Sequence, residues 1–271
     1  MQAIILAAGM GKRLKKLTKD NTKCMIKVND VTMIERMLNQ LDKHKLSRIV
    51  VVVGYKKDNL KSFINALNIK TPIVFIDNDI YDRTNNIYSL FLAKEYLLME
   101  DTLLLESDLI FEDSVLNIIL DNPFPNLALV AKYESWMDGT VVTIDKEYNI
   151  KNFLDKNHFQ FENINNYYKT VNIYKFSKSF SNTHYVPFLE AYCKALGNNE
   201  YYEQVLKVIT LLDKPEIKAL PLTNEVWYEI DDIQDLDIAE SIFTQSDEDK
   251  LRKIQKRYGG YWRYPNLIDF C

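Results

Sequence analysis

An apolar run over residues 3–8 passes directly into Gly9-Met10-Gly11-Lys12-Arg13-Leu14, and Lys23 follows shortly after. Glycine lets backbone N–H groups come close to a ligand, and successive N–H groups in a turn form a concavity for anions. Lys12, Arg13 and Lys23 add cationic donors to that backbone, a combination suited to a polyphosphate. Two acidic positions complement it. Asp108 follows an apolar stretch over residues 102–106, and Tyr228-Glu229-Ile230-Asp231-Asp232 closes another. Mg²⁺ takes one or two carboxylates and fills its octahedron with phosphate oxygens and water, so a distant second carboxylate is expected beside Asp108. Of the adjacent pair Asp231 and Asp232, one is the metal candidate and the other a helix cap. A further loop carries Trp136 and Asp138. An indole beside a carboxylate holds an amine or quaternary ammonium by cation–π and ion-pair contact. Glu106, Tyr228 and Glu229 are candidates for the same cation.

These side chains need a scaffold that brings positions 9–23, 106–108 and 228–232 together. Residues 2–7 read as a strand, and Ile49-Val50-Val51-Val52-Val53 is continuously apolar, as in a strand covered on both faces. Further strands are expected at 72–76, 102–106 and 126–132. Helical spacing appears over 31–45, 57–68, 86–98 and 112–120. Strand–helix alternation of this kind predicts an α/β, doubly wound, Rossmann-like and mostly parallel sheet, with ligands beyond the carboxyl ends of its strands. From about residue 133 the strands become shorter (141–144, 150–154, 170–176), which reads as a β-rich insertion on the acceptor side. Helices at 178–195, 199–211, 233–243 and 246–257 and strands at 216–220 and 226–230 complete the pattern. Residues 1–245 read as one domain and 246–271 as a helical linker leading out of it.

Composition excludes several classes. The net charge of −4 gives no nucleic-acid footprint, and no apolar run reaches the roughly 20 residues of a membrane span. Cys24, Cys193 and Cys271 are far apart and lack a C-x-x-C pair, which fits a reducing cytoplasm without structural zinc. His44, His158 and His184 are scattered and read as surface histidines.

Leu6-Ala7-Ala8-Gly9-Met10-Gly11-Lys12-Arg13-Leu14 with Lys23 resembles the signature of sugar-phosphate-type nucleotidyltransferases, L-A-A-G-x-G-x-R-L…P-K, with Thr22 in place of the proline. The resemblance implies a nucleoside triphosphate on the backbone of that loop. It also implies Arg13 on the β- and γ-phosphates and Lys23 on the α-phosphate and the incoming acceptor. Asn85-Asn86-Ile87-Tyr88-Ser89-Leu90 is similar to the base-reading segment of the cytidylyltransferase branch, which implies CTP and makes Asn85, Asn86 and Ser89 base-site candidates. In the bacterial choline-phosphate cytidylyltransferases the aspartate after Glu-Ile is the second Mg²⁺ ligand, which corresponds to Asp231. Over residues 1–245 the chain resembles phosphonate-specific cytidylyltransferases, implying 2-aminoethylphosphonate as acceptor, with phosphocholine as the alternative. Residues 258–265, rich in glycine and aromatics, resemble the entry to fold-type I pyridoxal-phosphate aminotransferases. Such a fused domain, and a homodimer, are therefore expectations; docking of this tail on the domain is the other reading. A nucleotide-binding regulatory domain without chemistry is the reading of a different class. It predicts loss of Lys23 or Asp108, and both are present.

Overall fold

The computed structural model describes residues 1–155, 158–214 and 216–244. Its centre is a nine-stranded mixed sheet. Strand β1 (Gln2–Ala7) pairs in parallel with β4 (Ile49–Val53) on one side and with β6 (Thr102–Glu106) on the other, and β5 (Ile73–Asp77) extends the parallel part beyond β4. The long β11 (Tyr167–Phe176) runs antiparallel to β6 and to β8 (Leu127–Lys132), and β12 (Lys218–Pro221) closes that side, parallel to β8. The hairpin of β9 (Val141–Ile144) and β10 (Ile150–Leu154) joins the start of β11. The β-rich segment after residue 133 is therefore continuous with the central sheet.

Alternation along β1 divides the core into two layers, because successive side chains leave a strand on opposite faces. Ala3, Ile5 and Ala7 pack with α1 (Met33–Leu41), α2 (Lys57–Asn65) and α5 (Asp113–Asp121). Ile4 and Leu6 face α3 (Asn86–Leu92), α4 (Lys94–Met99), α7 (Val186–Leu196) and α8 (Glu203–Ile209). Each layer buries aliphatic side chains completely, at about 25 cal/mol per Å² of apolar surface removed from water. Helix α1 shows how local sequence sets an element. Thr32 caps it by accepting from Glu35 N, and Ile34, Met37, Leu38 and Leu41 form its buried stripe.

Several expectations differ in detail. The helix predicted over 86–98 is broken at Ala93 into α3 and α4. The one over 178–195 is composite: α6 (Lys178–Phe180), a π turn at Ser181–Tyr185, then α7. The helical reading of 31–45 begins only at Met33, because Val31–Thr32 (β3) pairs with Lys27–Val28 (β2) in a small hairpin. Strand β7 (Leu109–Phe111) pairs antiparallel with β13 (Trp227–Glu229), a two-stranded ribbon outside the main sheet. Helix α9 (Ile233–Ile242) follows it. The expected helix over 246–257, the aromatic tail at 258–265 and Cys271 lie outside the described residues. No helix among the described residues is long and apolar enough to cross a membrane.

Candidate functional site

The carboxyl ends of β1, β5 and β6 open into a cleft of about 920 Å³, a size typical of small-ligand sites. One wall is the loop after β1. Gly11 has φ +60, in the left-handed region, and a Cβ there would lie 2.9 Å from Lys23 Cβ. Glycine at this position thus both permits the turn and lets the loop press against Lys23. Gly9 has no atom within 4 Å of where a Cβ would stand, so its backbone faces open space. Leu6, Ala8, Gly9, Met10, Gly11, Lys12 and Arg13 line the cleft. Ala7 does not: the pleat turns it into the core with Ala3 and Ile5.

The replacement of proline by Thr22 leaves the shape of this segment intact. Thr22 has φ −73, within the range a proline ring would impose. Its buried hydroxyl contacts Cys24 Sγ at 3.1 Å, and Lys23 follows as the first residue of a tight turn, Lys23–Met25. Burial pushes the Cys24 thiol up to about 11, so it packs as a small apolar side chain.

Lys23 meets Asp108 and Asp231 although 85 and 208 residues separate them. The β7–β13 ribbon is the reason. It carries Ile230 N to Asp108 O at 3.0 Å and so sets Asp231 beside Asp108. Lys23 Nζ donates to Asp108 Oδ2 at 2.6 Å and to Asp231 Oδ1 at 2.7 Å, and Arg13 Nη2 pairs with the same Asp231 oxygen at 2.6 Å. Burial disfavours charge on Lys23, but the two carboxylates outweigh it and hold the ammonium well above its ordinary range. Burial likewise pushes Asp231 up, and Lys23 and Arg13 prevail, leaving it below the usual carboxylate range. Asp232 instead accepts from Gln234 N and Asp235 N and forms a capping box with Asp235 at the start of α9. The two neighbouring carboxylates are thus separated by geometry: Asp231 faces Lys23, and Asp232 caps.

Asp108, Glu229 and Asp231 each offer a carboxylate oxygen within 4.8 Å of the others. Asp108 Oδ1 is buried and has no hydrogen-bond partner among the described residues. An all-oxygen, anionic donor set with an unused buried oxygen fits a hard divalent cation such as Mg²⁺.

Asn85, Asn86 and Ser89 also line the cleft. Asn85 caps α3 by accepting from Asn86 N at 2.8 Å. The Asn86 amide is engaged at both ends, donating to Glu106 Oε1 at 2.8 Å and accepting from Tyr202 N at 3.0 Å. Ser89 Oγ accepts from Asn78 Nδ2 at 3.2 Å. In this arrangement Asn86 holds Glu106 and the α8 entry in place, and its amide keeps a second N–H and a second lone pair.

Four more acidic residues line the cleft, Glu106, Asp138, Glu203 and Glu229, with Lys169, Asn172 and Gln204. Burial, then repulsion from Asp108 and Glu203, pushes Glu106 well above its ordinary value. Burial pushes Glu203 up to about 7, and its Oε2 has no hydrogen-bond partner among the described residues. Trp136 and Tyr228, expected to bind the acceptor, do not line the cleft. Their rings stack on each other, centroids 5.2 Å apart and nearly parallel, and Trp136 Nε1 donates to Glu134. Side-chain alternation on β13 explains this: Glu229 faces the cleft, and Tyr228 packs on the opposite side with Leu14, Met33 and Ile110.

Sequence reasoning missed Lys169, Asn172, Glu203 and Gln204. A lysine inside the run Tyr167-Tyr168-Lys169-Thr170-Val171 is a signal, because lysine is rarely buried without a partner. Lys175 in the same strand reads alike, yet it donates to Asn122 O away from the cleft. Glu203 sits at the start of α8, where an acidic residue is ordinary on a helix alone.

Known proteins resemble this chain in sequence and in fold. Residues 3–144 match the MobA-like NTP transferase domain model. The CMP-5'-(3-aminopropyl)phosphonate synthase of Streptomyces rubellomurinus is 26% identical over 97% of this chain and 42% of its own length. The CTP:phosphoglutamine cytidylyltransferase of Campylobacter jejuni is 30% identical over 88% of this chain and 98% of its own. The 2-aminoethylphosphonate cytidylyltransferase of Lancefieldella rimae is 39% identical over 41% of this chain and 44% of its own. The chain thus spans less than half of two of these relatives and nearly all of the third. Among solved structures, the CTP:phosphocholine cytidylyltransferase of Streptococcus pneumoniae superimposes with a TM-score of 0.72 at 24% identity, covering 90% of this chain and 99% of that one. With this fold, this loop and a matching family model over residues 3–144, the chain belongs to the MobA-like NTP transferase family.

Proposed function

We propose that the protein is a CTP-dependent cytidylyltransferase that joins CMP to 2-aminoethylphosphonate and releases pyrophosphate. The observation that carries this reading is one cleft with two unlike ends. A glycine loop with Lys23, Arg13, Asp108 and Asp231 lies at one end, and the half-buried Glu106 and the buried Glu203 at the other. The first end suits a nucleoside triphosphate. The second suits a small cation, since an incoming ammonium would relieve the crowding of these carboxylates. Three relatives whose names specify CTP or CMP chemistry on phosphonate or phosphate acceptors support the cytidylyl choice, and two of them name an aminoalkylphosphonate.

In this reading the triphosphate lies on the backbone of residues 8–11. Asp108 and Asp231 would hold Mg²⁺, which neutralises charge on phosphate oxygens when bound. Arg13, more than half exposed beside Asp231, turns to the β- and γ-phosphates. Lys23 serves the α-phosphate and the acceptor oxygen. The phosphonate is already an anion at neutral pH, so its oxygen attacks the α-phosphorus without a general base. Pyrophosphate leaves from the opposite side. Positioning and stabilisation of developing charge are then the protein's whole contribution. Asn85, Asn86 and Ser89 are the base-site candidates, all three on the cleft wall. The test is release of pyrophosphate from CTP and Mg²⁺ with 2-aminoethylphosphonate. Turnover of phosphocholine with none of 2-aminoethylphosphonate would overturn the acceptor, and no pyrophosphate with either would overturn the reading.

A further inference from the structure

Of the glutamates in the acceptor end, Glu229 differs in being held at both oxygens. Lys169 Nζ pairs with Glu229 Oε2 at 3.1 Å, and Asn172 Nδ2 donates to Glu229 Oε1 at 3.2 Å. Positions three apart on a regular strand point to opposite faces. Here β11 slips register against β8 between Thr170 and Tyr174, and Asn172 adopts φ +60, which turns its amide to the face of Lys169. Thr170 Oγ1 then fixes that amide by donating to Asn172 Oδ1 at 2.9 Å. Lys169 is equally constrained. Its side chain is 3% exposed, Nζ also donates to Thr170 O at 2.7 Å, and Gly139, at φ +95, lies so close that a Cβ there would come within 3.3 Å of Nζ. A strained non-glycine residue, a bulge and a close glycine all converge on one buried ion pair.

We propose that Lys169 is a specificity-determining residue for the acceptor, acting as a resident ammonium. It supplies Glu229 with the cation that an acceptor would otherwise bring there, and so directs the acceptor's own ammonium to Glu203, which lines the cleft and whose buried Oε2 has no partner among the described residues. A primary ammonium can donate hydrogen bonds to so confined an oxygen. A trimethylammonium cannot donate and needs more room, and the place beside Glu229 is already filled by a like charge, which penalises the wrong ligand. This inference rests on the cytidylyltransferase reading and adds the element that separates its two candidate acceptors.

The experiment compares kcat/KM for 2-aminoethylphosphonate and phosphocholine, with CTP saturating, in the wild type, Lys169→Met and Lys169→Arg. Lysine to methionine removes the charge and opens an ammonium-sized space beside Glu229. The preference for the primary amine should then fall by about tenfold or more, through acceptor KM, with KM for CTP unmoved. Lys169→Arg retains a cation on Glu229 and should retain the preference. Melting curves establish that each variant is folded, and Lys169→Gln, neutral yet able to donate to Glu229, replaces the methionine variant if that one does not fold. An unmoved ratio in a folded neutral variant of an active enzyme overturns the role of Lys169 alone. A wild type that turns over neither acceptor overturns the functional reading, and this inference falls with it.

Discussion

The two ends of the cleft are built on opposite principles. In the proposed reading the nucleotide end combines the backbone of one short stretch, residues 6–13, with the side chains of Lys23, Asp108 and Asp231. At the acceptor end the groups come from β6, β11, α8 and β13, whose positions run from 106 to 229, and every group is a side chain. A backbone site depends on loop shape, which Gly11 and the φ of Thr22 maintain. A side-chain site depends on charge balance among Glu106, Lys169, Glu203 and Glu229. The first kind tolerates many surface substitutions and keeps one chemistry. The second can change its ligand by a single substitution.

That contrast can be broken most severely at Lys23, which touches both ends. Lys23→Ala should lower kcat by roughly 10²–10³, the cost of losing one group that stabilises transition-state charge, measured as pyrophosphate release with the fold checked by circular dichroism. Asp231→Asn should weaken binding of Mn²⁺, followed by paramagnetic resonance with CTP present, by about tenfold or more, since it removes one of the two carboxylates assigned to the ion. Glu203→Gln should raise acceptor KM by about tenfold, the value of one charged hydrogen bond, and leave KM for CTP unchanged; a change in both would mean that the two ends are not separable. The same variant has a pH signature. The fold raises the Glu203 pKa from an ordinary 4.5 to about 7, so the folded state binds that proton more tightly than the unfolded chain. The corresponding stability is fully present below about pH 4.5 and is lost as pH rises through about 7. Melting temperature should therefore decline less between pH 5 and 8 in Glu203→Gln than in the wild type. The smallest effect is expected from Trp136→Ala. It removes a ring stack worth about 0.5–1.5 kcal/mol and should lower the melting temperature slightly, with acceptor KM unchanged, because Trp136 stands on Tyr228 outside the cleft.

The same contrast explains what could be read from the sequence. The backbone part of the nucleotide end is contiguous, so the order of residues 6–14 and the apolar run before it carry both the motif and its place on a strand edge. Asp108 was legible because it closes an apolar strand. Asp231 was legible only as one of two neighbours, and the choice depended on which of them caps α9. The acceptor end depends on strand register and pleat. Tyr228 and Glu229 are adjacent in sequence but face opposite sides of β13, and Asn172 reaches the cleft only through a bulge that no local pattern announces. Lys169 and Lys175 look alike in the chain and differ only in their tertiary partners.

The central claim is transfer of a cytidylyl group, and the most direct measurement offers the protein CTP, UTP, ATP and dTTP separately, each with Mg²⁺ and 2-aminoethylphosphonate. The predicted result is pyrophosphate release in proportion to a new CMP–phosphonate mixed anhydride with CTP, and little with the other three. Equal release with another triphosphate, or binding of CTP without any pyrophosphate, would contradict it.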